Sequence, residues 1–225
     1  MIEIDNVYNG DCLDILQQIP DNSIDTCITD MPYGIDFQSR YRNKKVPKIA
    51  NDKKPFLDFI KYLPRIIKPT GAVYLFTRWD VQHCVIDELT ANGMKPKNVI
   101  IWDKTRHTMG NLYQQYGSMY ESIVFSPNKD FRFLNGRPKD IIRCEKVLGG
   151  KLVHPNEKPI PLLQKLITDS TPQKGVVLDC TCGSGTTLLA AIREKRHFIG
   201  IEIDEYYYKL SLKRIENEKK QKTLF

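Results

Sequence analysis

Apolar residues along this chain fall into two alternating patterns: short continuous runs, and stretches with helical spacing. Runs at 2–8, 25–29, 72–77, 97–103, 121–126, 176–179 and 197–202 predict strands. Between them lie helical faces. Cys12, Leu13, Ile15, Leu16 and Ile19 form one, and Phe56, Phe59, Ile60, Leu63 and Ile67 form a second, in which Pro64 predicts a kink or an early end. Further helices are predicted over 81–91, over Pro161–Ser170 (face Leu162, Leu163, Leu166, Ile167), over 186–195, and from the Asp204 cap to about Lys219. Pro20-Asp21-Asn22-Ser23, Pro69-Thr70-Gly71, Asn92-Gly93 and Pro172-Gln173-Lys174-Gly175 predict turns. Seven strands alternating with helices imply one α/β domain over 1–225. Its sheet should be mostly parallel and covered on both faces.

Two stretches, 36–54 and about 104–151, largely lack a period, the 121–126 strand apart. The first carries seven Lys/Arg against two Asp, with Phe37 and Tyr41 interleaved. A loop that long inside a domain is usually functional. From Lys104 through Lys158 there are ten Lys/Arg and five Asp/Glu. The whole chain has a formal net charge of +7 and a pI near 9.0, which favours a polyanionic partner. The six cysteines are scattered without ligand-pair spacing, so no metal is expected. No leader pattern and no long apolar run are seen, which predicts a soluble cytoplasmic protein.

The chemistry gathers at strand ends, where open α/β sheets bind ligands. The 25–29 strand runs into Asp30-Met31-Pro32-Tyr33. A carboxylate beside a main-chain carbonyl makes a pair of acceptors suited to an NH2 group. Tyr33 offers a face on which a planar base can stack. The strand ending at Asp179 runs into Cys180-Thr181-Cys182-Gly183-Ser184-Gly185-Thr186-Thr187. Its glycines permit close approach of a ligand, and the helix that follows opens with free N–H groups. This loop is neither a dinucleotide fingerprint nor a phosphate loop. Asp179 suits a cationic amine. Glu202, 23 residues on, stands where an acid commonly binds ribose hydroxyls. A ligand with an ammonium, a ribose and no phosphate fits, and S-adenosylmethionine is one.

Together these motifs resemble the DNA amino-methyltransferases. That family's Asp/Asn/Ser-Pro-Pro-Tyr/Phe is matched by Asp30-Met31-Pro32-Tyr33, and its Asp-Pro-Phe-x-Gly-Ser-Gly-Thr-Thr by the stretch from Asp179 to Thr187. Its His-Pro-Thr-Gln-Lys-Pro is matched by His154-Pro155-Asn156-Glu157-Lys158-Pro159. Catalytic motif first and cofactor loop last is similar to the permuted β group. The resemblance implies a Rossmann-like methyltransferase fold with a seven-stranded sheet. It implies that Asp30, the carbonyl of Met31 or Pro32, and Tyr33 hold the target amine and base. It places Asp179, Cys180, Gly183, Ser184, Gly185 and Glu202 at the cofactor, Asp11 near its adenine, and His154 and Lys158 near its methionine end. Met31 in place of proline, and Cys180-Thr181 in place of Pro-Phe, depart from the pattern.

The activity implied is transfer of a methyl group from S-adenosylmethionine to adenine N6 of a flipped nucleotide in double-stranded DNA, as in restriction-modification systems. The 36–54 stretch would close over the base through Arg40, Lys44, Lys45 and Lys48. The 104–151 stretch would read sequence through Arg106, Asn111, Arg132 and Arg137. Cytosine N4, RNA, a protein amide and a silent DNA-binding subunit are the rivals. The absence of a Pro-Cys dipeptide argues against methylation at cytosine C5. Many β-group relatives look dimeric, which leaves a homodimer open.

Overall fold

The computed structural model describes residues 2–32, 55–107, 113–147 and 157–223. They build one mixed sheet of eight strands, in the order β1-β8-β7-β2-β3-β5-β4-β6. The strands are β1 Asn6–Asn9, β2 Ile24–Thr29, β3 Ile67–Thr77, β4 Asn98–Asp103, β5 Tyr120–Pro127, β6 Ile141–Arg143, β7 Val176–Asp179 and β8 His197–Glu202. The helices are α1 Cys12–Leu16, α2 Leu63–Ile66, α3 Gln82–Ala91, α4 Ile160–Ser170, α5 Thr186–Arg193 and α6 Glu205–Thr223. No described helix is long and apolar enough to cross a membrane.

Eight strands, not seven, is the first correction. β6 lies in the stretch without a period and pairs at the sheet edge through Ile101 and Trp102. Its residues are half-buried to exposed, so no apolar run marks it. The second concerns the expected helix over 55–67. It is a 3-10 turn at Asp58–Tyr62 followed by the four-residue α2, with Pro64 in the first turn of α2, where a missing N–H costs nothing. The third concerns Pro69-Thr70-Gly71. These residues continue β3 rather than precede it, and the register with β2 shifts between Ile24 and Thr26. Gly71 is required there: a Cβ would lie 2.6 Å from the Asp25 carbonyl oxygen.

Both sheet faces are buried, each under its own apolar layer. One joins Ile28, Tyr74, Phe76, Trp102 and Ile123 to α4 and α5; the other joins Cys27, Val73, Leu75 and Val124 to α1, α2 and α3. β2, central in the sheet, is buried along its whole length. Strands β1, β8, β7, β2 and β3 run parallel, β5 antiparallel, and β4 and β6 with the rest. The carboxyl ends of β1, β2, β3, β4, β7 and β8 therefore share one edge of the sheet with the amino end of β5.

Candidate active site

That edge carries the charged residues of both motifs. Asp30 follows β2, and its main-chain oxygen accepts a hydrogen bond from Thr181 Oγ1 at 3.2 Å. The catalytic motif is thus tied directly to the loop after β7. A second tie lies beneath it, where the Cys180 N–H donates to Thr29 Oγ1 at 3.1 Å. Met31 is not at the mouth of the cleft: its side chain is 1% exposed and packs in the core, so only its backbone is offered to a ligand. The Pro32 carbonyl accepts from Phe56 N–H at 3.1 Å. That bond leaves the Pro32 oxygen a second lone pair, so either carbonyl can still accept from an amine. Tyr33 lies outside the described residues.

Asp30 has a cationic partner. Lys158 Nζ lies 2.8 Å from Asp30 Oδ2 and 2.9 Å from Glu121 Oε2, and Lys104 Nζ lies 3.4 Å from the other Glu121 oxygen. The Lys158 side chain is 9% exposed, with its ammonium 5.0 Å from the Phe76 ring centroid and 6.0 Å from that of Trp102. Charges alternate along this row, Lys104, Glu121, Lys158, Asp30, in partly dry surroundings. Burial alone would push the Lys158 amine down, but Asp30 and Glu121 outweigh it and hold it charged above the ordinary lysine range. Burial would likewise raise the Glu121 carboxyl, yet Lys158 and Lys104 keep it below its usual value. Lys104 is depressed by burial, with Glu121 opposing. Glu121 and Lys104 were not legible as site residues. They meet because β5 runs backwards, which puts Glu121, beside Trp102 in register, at the edge where β4 ends.

The second half of the site is the loop after β7. Gly183 and Gly185 have φ of 52° and 82°, and a Cβ on Gly185 would come within 3.0 Å of Ser211 Cβ. Glu202 Oε2 accepts from Gly183 N–H at 2.8 Å and Oε1 from Asp204 N–H at 2.8 Å. Each oxygen keeps a second lone pair for a hydroxyl donor. Burial raises the Glu202 carboxyl, with the N–H groups of Asp204 and Gly183 opposing. Asp179, 3% exposed, is pushed up to about 7 by burial, with Thr187 and Thr181 opposing and Asp30 and Glu202 adding to the rise. Its oxygens accept from Thr181 N–H and Thr187, and no ion pair reaches it among the described residues, so this buried carboxylate is suited to an ammonium.

Asp11 caps α1 through Leu13 N–H at 2.9 Å, next to the turn where Gly10 N–H meets the Glu202 carbonyl at 3.1 Å. Ser184 is held by Arg214, which donates to its oxygen atoms at 3.0 and 2.6 Å and pairs with Glu157 at 2.5 Å. Arg214 had no signal in the sequence beyond its place on the last helix. Cys180 turns inward, its Sγ 4.0 Å from Cys27 Sγ. Arg106 and Arg137 are exposed, and Arg132 donates to the Phe131 carbonyl at 2.7 Å. Trp79, after β3, is 67% exposed on the same edge. His154, Arg40, Lys44, Lys45, Lys48 and Asn111 lie outside the described residues.

Residues 24–213 match the family of N6 and N4 methyltransferases described as DNA methylase. The chain belongs to this family. Among its relatives, the type II methyltransferase M2.MboI of Moraxella bovis is 28% identical over 96% of this chain and 92% of its own. The crystal structure of the M1.HpyAVI–SAM complex superposes with a TM-score of 0.72 and 26% identity, covering 93% of this chain and 98% of that one. The PvuII cytosine-N4-specific DNA methyltransferase superposes at 0.74 with 18% identity, over 95% of this chain and 90% of that one, a likeness of fold.

The Asp179 geometry carries a pH prediction. Its folded-state value near 7 exceeds the ordinary 3.8, so between those limits the folded protein binds the extra proton. The sign is then fixed: stability falls as pH rises from about 4 to about 7 and levels off above. A cationic ligand needs the ionised form, so S-adenosylmethionine affinity should rise by up to about tenfold per pH unit below 7 and level off above it. Titration calorimetry between pH 5.5 and 8 checks this, and Asp179→Asn should flatten most of the dependence. A flat profile in the parent protein would detach Asp179 from the ammonium.

Proposed function

We propose that this DNA methylase moves a methyl group from S-adenosylmethionine to the exocyclic N6 amine of adenine, in a nucleotide turned out of double-stranded DNA. The observation that carries the reading is the tie between Thr181 and the Asp30 main chain. It sets the amine acceptor and the donor's loop side by side on one edge of the sheet.

The residues present fit the cofactor. Glu202 offers acceptors to the ribose hydroxyls, Asp179 receives the ammonium, and the glycines at 183 and 185 leave room for the body of the ligand. When bound, S-adenosylmethionine supplies an electrophilic sulfonium methyl group. The rest is done by the chain. The amine nitrogen of adenine is a poor nucleophile because its lone pair is delocalised into the ring. Asp30 and the carbonyl of Met31 or Pro32 accept its two protons as hydrogen bonds, which lets the nitrogen turn tetrahedral and frees the lone pair; once methylated, the nitrogen gives up one of these protons to solvent. Both acceptors are fixed before the substrate arrives, so catalysis comes mainly from positioning and preorganised polarity. Tyr33 stacks on the base, which must leave the duplex to reach the cleft.

The 36–54 stretch closes over the base, with Arg40, Lys44, Lys45 and Lys48 on phosphates. Within 104–151, β5 belongs to the sheet. Target recognition therefore falls to the segments on either side of it, which hold Arg106, Asn111, Arg132 and Arg137. Exposed Trp79, Tyr113 and Tyr116 add stacking surface along that edge. Work in the cytoplasm, within a restriction-modification system, completes the reading. Cytosine N4 is the second reading, because the family holds both chemistries and the two amines present the same pair of donors. Labelled methyl transfer to duplex DNA and to RNA, followed by nucleoside digestion, tests the proposal. N6-methyladenine from DNA is expected; N4-methylcytosine, or label in RNA alone, would replace it.

A further inference from the structure

Lys158 belongs to a motif whose family counterpart suggests the methionine end of the cofactor, yet its ammonium is committed elsewhere. It sits between Asp30 Oδ2 and Glu121 Oε2, at 2.8 and 2.9 Å, over the rings of Phe76 and Trp102. Both distances are those of charge-assisted hydrogen bonds. Glu121 is in turn backed by Lys104. Lys158 is thus held from behind by a carboxylate that has its own counter-ion, and from the side by two aromatic faces. Such an ammonium has few alternative positions.

We propose that Lys158, anchored by Glu121, is a positioning residue for methyl transfer: it fixes the Asp30 carboxylate in its ionised, acceptor form for the target amine and does not bind the methyl donor. The inference rests on the amine-methylation reading above. The need for it is visible in the surroundings of Asp30. Asp179, the last residue of β7, and Glu202, the last of β8, are both anionic when ionised, and Asp179 is close enough to Asp30 for the charge of each to disfavour that of the other. Glu121 on β5 adds a third carboxylate, matched by Lys104. Without Lys158, Asp30 keeps Asp179 as an anionic neighbour, while Lys104 is engaged by Glu121. A protonated Asp30 would offer a donor where the amine needs an acceptor. One oxygen fixed by Lys158 also sets the plane of the carboxylate, and with it the direction in which the amine protons are drawn.

The reading separates Lys158 from the cofactor residues by what each substitution should change. Lys158→Ala is expected to lower kcat about a hundredfold while S-adenosylmethionine Kd stays within about threefold, because a preorganised acceptor is lost and the donor site is not. The acid limb of the kcat profile should move up by about one pH unit or more, because Asp30 then holds its proton against the neighbouring acids. Methylammonium in the buffer, small enough for the vacated space, should restore part of the rate. A loss confined to cofactor affinity, with kcat intact at saturation, would overturn the proposal. So would a kcat loss with an unchanged acid limb. If Lys158→Ala melts below the assay temperature, Lys158→Gln carries the same test, since it can still donate to Asp30 but brings no charge. Carbon NMR titration of the Asp30 carboxyl in parent and variant is independent of turnover: a parent protein that transfers no methyl sinks the functional reading, whereas an Asp30 titration untouched by the substitution sinks this one.

Discussion

Asp30→Ala is expected to reduce methyl incorporation into DNA by at least about a hundredfold, the scale on which a preorganised polar group at the reacting centre acts. S-adenosylmethionine affinity should remain within a few-fold of the parent, because the Asp179 loop and Glu202 stay in place. DNA affinity should also survive, because phosphate contacts dominate it. On the sequence alone, a carboxylate at an open cleft would cost little stability when removed. The ion pair with Lys158 changes that forecast. Its loss leaves a buried ammonium with Glu121 as its remaining carboxylate, so a destabilisation of about 1–3 kcal/mol is expected. Melting temperature, cofactor affinity and labelled methyl transfer, measured on one protein, separate the roles. Strong turnover by a folded Asp30→Ala protein would end the assignment of this carboxylate to the amine.

The second large effect belongs to Glu202→Ala. The side chain is 9% exposed and holds the Gly183 and Asp204 N–H groups with one oxygen each. Its removal takes away the acceptor for the ribose and loosens the turn that shapes the loop. Affinity for S-adenosylmethionine should fall by about 1–3 kcal/mol, the cost of leaving buried donors unpaired. At saturating cofactor, kcat should change much less, since Glu202 is remote from the amine. Calorimetry decides: unchanged affinity in a correctly folded variant would remove the ribose assignment.

Most of the parallel half of this fold was legible. β7 and β8 have the bounds predicted for them, because a strand buried on both faces reads as an unbroken apolar run between turn residues. Asp179 and Glu202 follow from those bounds, since each is the last residue of its strand. What escaped depended on direction and edge. An apolar run such as 121–126 does not say which way its strand points, so Glu121 looked like a strand residue and not like a group at the catalytic edge. β6 escaped because a three-residue edge strand buries too little to leave a period. The pairing of Lys158 with Asp30 escaped for another reason. Sequence motifs give each residue a neighbourhood along the chain, and here two neighbourhoods 128 positions apart meet at one ion pair.

The strand order also governs when the molecule can acquire activity during its synthesis. β7 and β8, made late, stand between β1 and β2, made first. Until β8 has left the ribosome β1 has no partner strand, and until β7 has done so β2 presents one bare backbone edge. The hydrogen bond that ties the two motifs, from Thr181 to Asp30, spans 151 positions and can form only once Thr181 has emerged. Pairings of such long range are slow to form and leave the chain open to wrong partners in the meantime. Nascent chains stalled before β7 should therefore depend on chaperones for solubility. No fragment that ends before β8 should be able to mark DNA.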